Sequence, residues 1–165
     1  MKNTFNKLAI LCVLLVSISL LGCESKKADS GSKGEESAKK SDSNSTKITM
    51  TVGDAMKFDK TEIKVKAGST VTLTITHTGK MKKEVMGHNF VLLKKGTDIA
   101  EFGKNAMAAK ATDYVPAGSA LANTKVVGGG ESDTITFKVP EKGTYDFICS
   151  FPGHFSMMKG KFIVE

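Results

Sequence analysis

The amino-acid sequence predicts an all-β fold, a sandwich of short antiparallel strands carrying one short helical insert. Three observations predict it. From Lys47 onward, apolar residues recur at every second position, the period of a strand with one buried face. These runs are broken by AGS, TGK, GGGE and EKG, whose residues suit tight turns. One stretch, between Thr97 and Ala120, leaves that period for a helical one. Residues 47–165 are enough for one core and too few for two.

Residues 1–22 predict an export signal. Lys2 and Lys7 form a positive start, followed by an apolar run of 14 positions from Leu8 to Leu21. That is short of the ~20 apolar residues that span a bilayer. The run ends Leu20-Leu21-Gly22-Cys23, which resembles a bacterial lipobox. The resemblance implies cleavage before Cys23 and lipid on its thiol, an anchor to which each buried methylene contributes about 0.8 kcal/mol. A secreted protein with an incidental cysteine is the competing reading, and the place of Cys23 at the end of the apolar run favours the lipid. The expected location is the cell envelope, on the periplasmic or extracytoplasmic side of a membrane.

Residues 23–46 read as a lipidated, disordered tether. After Cys23 they offer no aromatic or large aliphatic side chain, so they cannot bury a core. Their five lysines and five acids cancel. Five of the chain's seven net positive charges therefore belong to residues 47–165. All 24 basic residues are lysines, and the absence of Arg argues against nucleic-acid binding through bidentate phosphate or guanine contacts.

The strands follow in order. Ile48, Met50 and Val52 alternate with polar residues, as do Ile63 and Val65. Val71, Leu73 and Ile75 continue the pattern, and His77 shares their parity, so it points inward as a packed, hydrogen-bonded histidine. In the helical stretch, Ile99, Phe102, Ala106 and Met107 fall on one face, and Tyr114 and Pro116 mark the return to extended chain. Ile135, Phe137 and Val139 form the next strand, then Tyr145, Phe147 and Cys149 share a face before the closing KGKFIVE.

The chemistry is concentrated near the C-terminus. Cys149, His154 and Met158 stand in the spacing C-x4-H-x3-M, and His88 lies 61 residues before the cysteine. Two imidazoles, a thiolate and a distant thioether are the donor set of a blue-copper site, which suits both Cu(II) and Cu(I). Cysteine usage agrees. Cys12 lies in the signal and Cys23 at its end, so Cys149 has no disulfide partner, and a bare thiol in an exported domain invites oxidation. Binding one copper ion as a thiolate removes that exposure.

The segments MGHNF-VLL, NTKVVGGGESDTITF and CSFPGHFSMMKG resemble the azurins, small bacterial blue-copper proteins of the Greek-key cupredoxin fold, over nearly the whole domain. The resemblance implies equatorial ligands His88, Cys149 and His154, with Met158 axial and the Gly87 carbonyl opposite it. It implies that Asn89 ties the ligand loops together, and that the N–H groups of Asn89 and Phe151 face the sulfur. His77 lies where azurins carry a titrating histidine; the packed role is favoured over a redox-linked proton switch. Phe90 stands where azurins often have Trp, and the usual disulfide, typically worth ~2–4 kcal/mol, has no cysteines here. A lipid anchor and long tether are closer to the membrane-bound auracyanins.

The expected function is one-electron transfer between exported or membrane-bound redox proteins, and not enzymatic catalysis. His154 would serve as the electron gate, ringed by Val85, Met86, Phe151, Pro152, Gly153 and Met157 as an apolar docking patch. A monomer is expected. Copper storage or delivery would use the same donors but calls for exposed Met or His runs, which the sequence lacks. A Cys149–His154 nucleophile pair ranks last, because no orienting carboxylate or oxyanion-hole motif accompanies it.

Overall fold

A computed structural model describes residues 44–165. The signal, the Cys23 lipidation site and the tether up to residue 43 lie outside the described residues. Eight strands are present: β1 (Ser45–Val52), β2 (Glu62–Val65), β3 (Thr70–His77), β4 (Val91–Leu93), β5 (Ala120–Asn123), β6 (Ser132–Lys138), β7 (Gly143–Ile148) and β8 (Lys159–Val164). Two helices join them, a single turn α1 (Lys83–Met86) and the two-turn α2 (Ile99–Ala106). No helix among the described residues is long and apolar enough to cross a membrane.

The strands form two sheets, β1-β3-β6 and β2-β8-β7-β4-β5. This is the all-β cupredoxin sandwich that the sequence predicts, with one difference in direction. β1 runs parallel to β3, and β2 parallel to β8; the other pairings are antiparallel. The chain leaves the first sheet for β2 and then returns, so β1 and β3 point the same way. Strand β1 begins at Ser45, two residues ahead of the Lys47 at which alternation becomes legible.

Both sheets present alternate residues to one interior. Met50, Val71, Leu73, Ile75, Phe90, Leu92, Phe147 and Phe162 are all fully enclosed there. Burying such a side chain contributes about 1.5–3 kcal/mol. A second, smaller cluster lies on the outer face of the five-stranded sheet, where α2 places Phe102 and Ala106 over Val91, Leu93 and Ile148. This is why β4 is buried on both faces and shows no alternation.

Helix α2 starts where Asp98 accepts hydrogen bonds from the N–H groups of Ala100 (2.8 Å) and Glu101 (3.0 Å), a cap that stabilises by about 1 kcal/mol. Gly103 lets the Phe155 ring lie against the helix, since a Cβ there would collide with that ring. Met107 does not join the buried face. It follows the last helical residue and is 62% exposed, because the helix ends before the face reaches it.

Candidate metal centre

Three segments meet at one end of the sandwich. His88 is not inside a regular strand; it forms an isolated bridge with Val127, its N–H donating to Val127 O (3.0 Å) and its carbonyl accepting from Val127 N (2.8 Å). Cys149 follows β7 directly, facing inward with Phe147 as the alternation requires. The turn after it is closed by His154 N donating to Phe151 O (3.0 Å), and Gly153 takes the left-handed conformation with φ 82°. Met158 is buried, its N–H bonded to His154 O (2.8 Å) and its carbonyl accepting from Cys149 N (2.9 Å). One short turn therefore carries three of the four expected donors.

The donor atoms converge. Cys149 Sγ lies 3.8 Å from His88 Nδ1 and 3.7 Å from His154 Nδ1, and the two nitrogens are 3.3 Å apart. The point equidistant from these corners is about 2.1 Å from each, inside the range of about 2.0–2.3 Å for imidazole and thiolate bonds to a first-row metal. Direct hydrogen bonding explains the triangle less well, since its sulfur edges are long and its members would all have to share protons at one centre. His88, Cys149 and His154 are also all buried.

The His88 tautomer is already set. His88 Nε2 donates to Gly53 O (3.0 Å), which leaves Nδ1 with its lone pair toward the cysteine. His154 is 4% exposed, and its Nε2 has no hydrogen-bond partner among the described residues. No fully enclosed side-chain nitrogen or oxygen there lacks a partner, so Nε2 reaches the surface.

The neighbouring groups hold these donors. Asn89 Oδ1 accepts from Ser150 N (2.8 Å), and its Nδ2 donates to Ser150 Oγ (2.9 Å) and Asp113 O (2.8 Å). The N–H groups of Asn89 and Phe151 face Cys149 Sγ. Gly87 is buried and has no room for a Cβ, which would meet the Lys83 carbonyl and Val126 at 2.5 Å. His77 is enclosed as its parity predicts: it accepts from Gly79 N at Nδ1 and bonds Met86 O through Nε2, both at 3.0 Å. The rings of His77, His88 and His154 follow one another with centroids 5.0 and 4.9 Å apart.

Three participants carry no sequence signal for their roles. Gly53 acts through its backbone carbonyl, which any residue possesses. Asp113 and Tyr114 both adopt left-handed backbone, φ 55° and 60°, a strain of about 1–3 kcal/mol each. The geometry lets the Asp113 carbonyl reach Asn89, its carboxylate accept from Val126 N (2.9 Å), and the Tyr114 ring meet Phe151 edge-on. Residues expected around the gate lie as follows: Val85 is 60% and Met157 69% exposed, Pro152 and Gly153 are exposed, Met86 is half-buried and Phe151 is buried.

Burial pushes the His88 imidazole down to about 4, helped by the neighbouring His154 ring and opposed by the Gly53 carbonyl. Burial also lowers His154. It pushes the Cys149 thiol up to about 12, against the pull of the Asn89 and Phe151 N–H groups. Without metal, the site is therefore neutral at pH 7. A histidine depressed on folding binds its proton more readily in the unfolded chain, so stability is full above pH 6.5 and falls as pH drops toward 4. Metal-free protein should lose roughly 3 kcal/mol across that window from His88. Depressed carboxylates act in the same direction only from about pH 5 downward. Urea midpoints between pH 7 and 5 measure the histidine part; a flat profile there contradicts the buried neutral imidazoles.

Comparisons with known proteins agree with this geometry. Residues 43–165 match the copper binding proteins, plastocyanin/azurin family. An azurin of Pseudomonas chlororaphis is 41% identical over 126 residues, covering 72% of this chain and 98% of that protein. Azurin-2 of Alcaligenes xylosoxydans xylosoxydans is 45% identical over 118 residues, covering 68% and 92%. Among solved structures, dithionite-reduced auracyanin from the photosynthetic bacterium Roseiflexus castenholzii superposes with a TM-score of 0.66 at 37% identity, covering 73% of this chain and 97% of that one.

Proposed function

The chain belongs to the plastocyanin/azurin family of copper-binding electron-transfer proteins, and from that premise we propose a one-electron shuttle held at a membrane by lipid on Cys23. In this reading His88, Cys149 and His154 would hold one copper ion through Nδ1, Sγ and Nδ1, with the Met158 thioether and the Gly87 carbonyl as weaker donors. Bound copper supplies a Cu(II)/Cu(I) couple. The observation that carries the assignment is the buried triangle of Nδ1, Nδ1 and Sγ, with edges of 3.3, 3.7 and 3.8 Å.

The protein's own groups perform the rest. Cys149 gives up its proton as metal is taken, and the N–H groups of Asn89 and Phe151 then hold the thiolate charge. The Gly53 carbonyl keeps the His88 ring from turning its other nitrogen inward. Asn89 clamps the cysteine loop to the histidine segment, so neither oxidation state moves the donors far. At the surface, His154 Nε2 is the electron exit, and Val85 and Met157 offer apolar area for brief docking of redox partners. Signal cleavage before Cys23 and a flexible tether would keep the carrier in the cell envelope and raise its effective concentration near membrane partners.

The decisive test is an absorption spectrum of the Cu(II)-loaded protein during reductant titration. An intense thiolate–copper band that bleaches reversibly is expected. A colourless complex that exchanges its copper freely would shift the assignment to copper delivery. Met158→Leu probes the axial role. The swap conserves volume, so stability should change by less than about 1.5 kcal/mol. Copper should be retained and the reduction potential should rise, because the oxidised state loses a weak donor. A lower potential in a redox titration contradicts the axial assignment.

A further inference from the structure

We propose that Asp54 is a positioning residue for the metal centre, a brace that closes a hydrogen-bonded ring around His88. The inference rests on His88 being a ligand. Asp54 Oδ2 accepts from Lys80 N (3.0 Å) and Oδ1 from Met81 N (3.2 Å). The next link is Gly79 N donating to His77 Nδ1 (3.0 Å), and His77 Nε2 reaches Met86 O (3.0 Å). Met86 leads through Gly87 to His88, whose Nε2 donates to Gly53 O (3.0 Å), and Gly53 precedes Asp54. The ring is closed by one carboxylate.

The contacts around that carboxylate are tight. A Cβ on Gly79 would collide with Asp54 Oδ1 and stand 2.7 Å from His77 Cε1, so only glycine permits the approach. The His77 Nε2 lies 3.8 Å from Asp54 Oδ1, beyond hydrogen-bond reach, which leaves that nitrogen to Met86 O. Asp54 itself is 38% exposed and touches no donor atom of the metal triangle. It joins two loops and no strands, so the sandwich does not depend on it. Its effect falls on the Gly53 carbonyl, the acceptor that fixes which His88 nitrogen faces Cys149.

The variants Asp54→Ala and Asp54→Asn test this against Asp59→Ala. Asp59 is a matched control, an acid in the same β1–β2 connection that accepts from Thr51 N (2.8 Å) and has no contact with the 79–81 turn. The first readout is solvent exchange of the His88 Nε2–H in metal-free protein, followed by NMR. Asp54→Ala should accelerate it at least about tenfold, and Asp54→Asn, which keeps one acceptor oxygen, less. The second readout is the reduction potential of copper-loaded protein, which Asp54→Ala should raise because a negative charge and a ring constraint are both lost. If Asp54→Ala does not fold, Asp54→Asn carries both readouts. The proposal is overturned if neither readout moves, if exchange quickens while the potential holds, or if Asp59→Ala moves both as much. Should wild-type protein lack the thiolate–copper band, the metal assignment fails, whereas the exchange measurement still decides whether Asp54 braces the ring.

Discussion

Cys149→Ser is expected to abolish the visible colour of the oxidised protein while leaving the fold intact. The band requires charge transfer from a thiolate, and a hydroxyl neither ionises in this site nor offers a soft donor. Burial holds the Cys149 thiol at about 12 even against the Asn89 and Phe151 N–H groups, so even sulfur needs the metal to displace its proton; a serine hydroxyl is a far weaker acid. Changes to groups that merely orient a ligand cost 10–100-fold in metal affinity, so losing the thiolate should exceed about 100-fold. The fold should persist because Sγ sits within reach of two imidazole nitrogens, 3.7 and 3.8 Å away, that can partner a hydroxyl. The metal-free variant should therefore stay within about 2 kcal/mol of wild type. Absorption and copper-affinity titrations, with circular dichroism on the metal-free form, check both halves. A variant that remains intensely coloured removes Cys149 from the site.

The parts of this architecture that the sequence announces are those where a single face is buried. Met50 and Val52, Leu73 and Ile75, and Tyr145 and Phe147 each alternate with outward residues, and all lie in the interior. Strand β4 escapes that reading because Val91 and Leu93 meet the α2 layer while Leu92 meets the main core, so the period disappears. The parallel pairings of β1 with β3 and β2 with β8 arise from chain crossing between sheets, which no local pattern encodes. Met107 follows the helical period but lies past the helix end.

At the metal centre, legibility divides by chemical type. Cys149, His154 and Met158 carry distinctive side chains at close spacing, and the fold gathers them with His88. The groups that orient them act through the backbone or through common polar residues. Gly53 O sets the His88 tautomer, Asp113 O receives Asn89, and Asp54 grips the 80–81 backbone. A carbonyl is present at every position, so only its placement makes it functional. Asn89 was legible through the family resemblance, and its four bonds to Ser150 and Asp113 give that role a physical basis.

The two histidines predict opposite responses to the same substitution. His154→Gly should weaken copper binding by more than about 100-fold and then recover with millimolar imidazole. The ring lies at the surface end of the site, and it is carried on a turn whose closing bonds are made by backbone atoms that glycine retains. Removing it leaves a slot between the Phe151 and His88 rings, whose centroids each lie 4.9 Å from that of His154. Free imidazole can enter the slot and present the same nitrogen. His88→Gly should not recover. Its ring is fully enclosed between His77 and His154, and its Nε2 is bonded to Gly53 O. Loss of a buried ring of that size should also destabilise the metal-free protein by about 3 kcal/mol or more. Visible spectra of both variants during imidazole titration distinguish them. Rescue of His88→Gly, or indifference of His154→Gly, would reverse the assignment of which imidazole faces solvent.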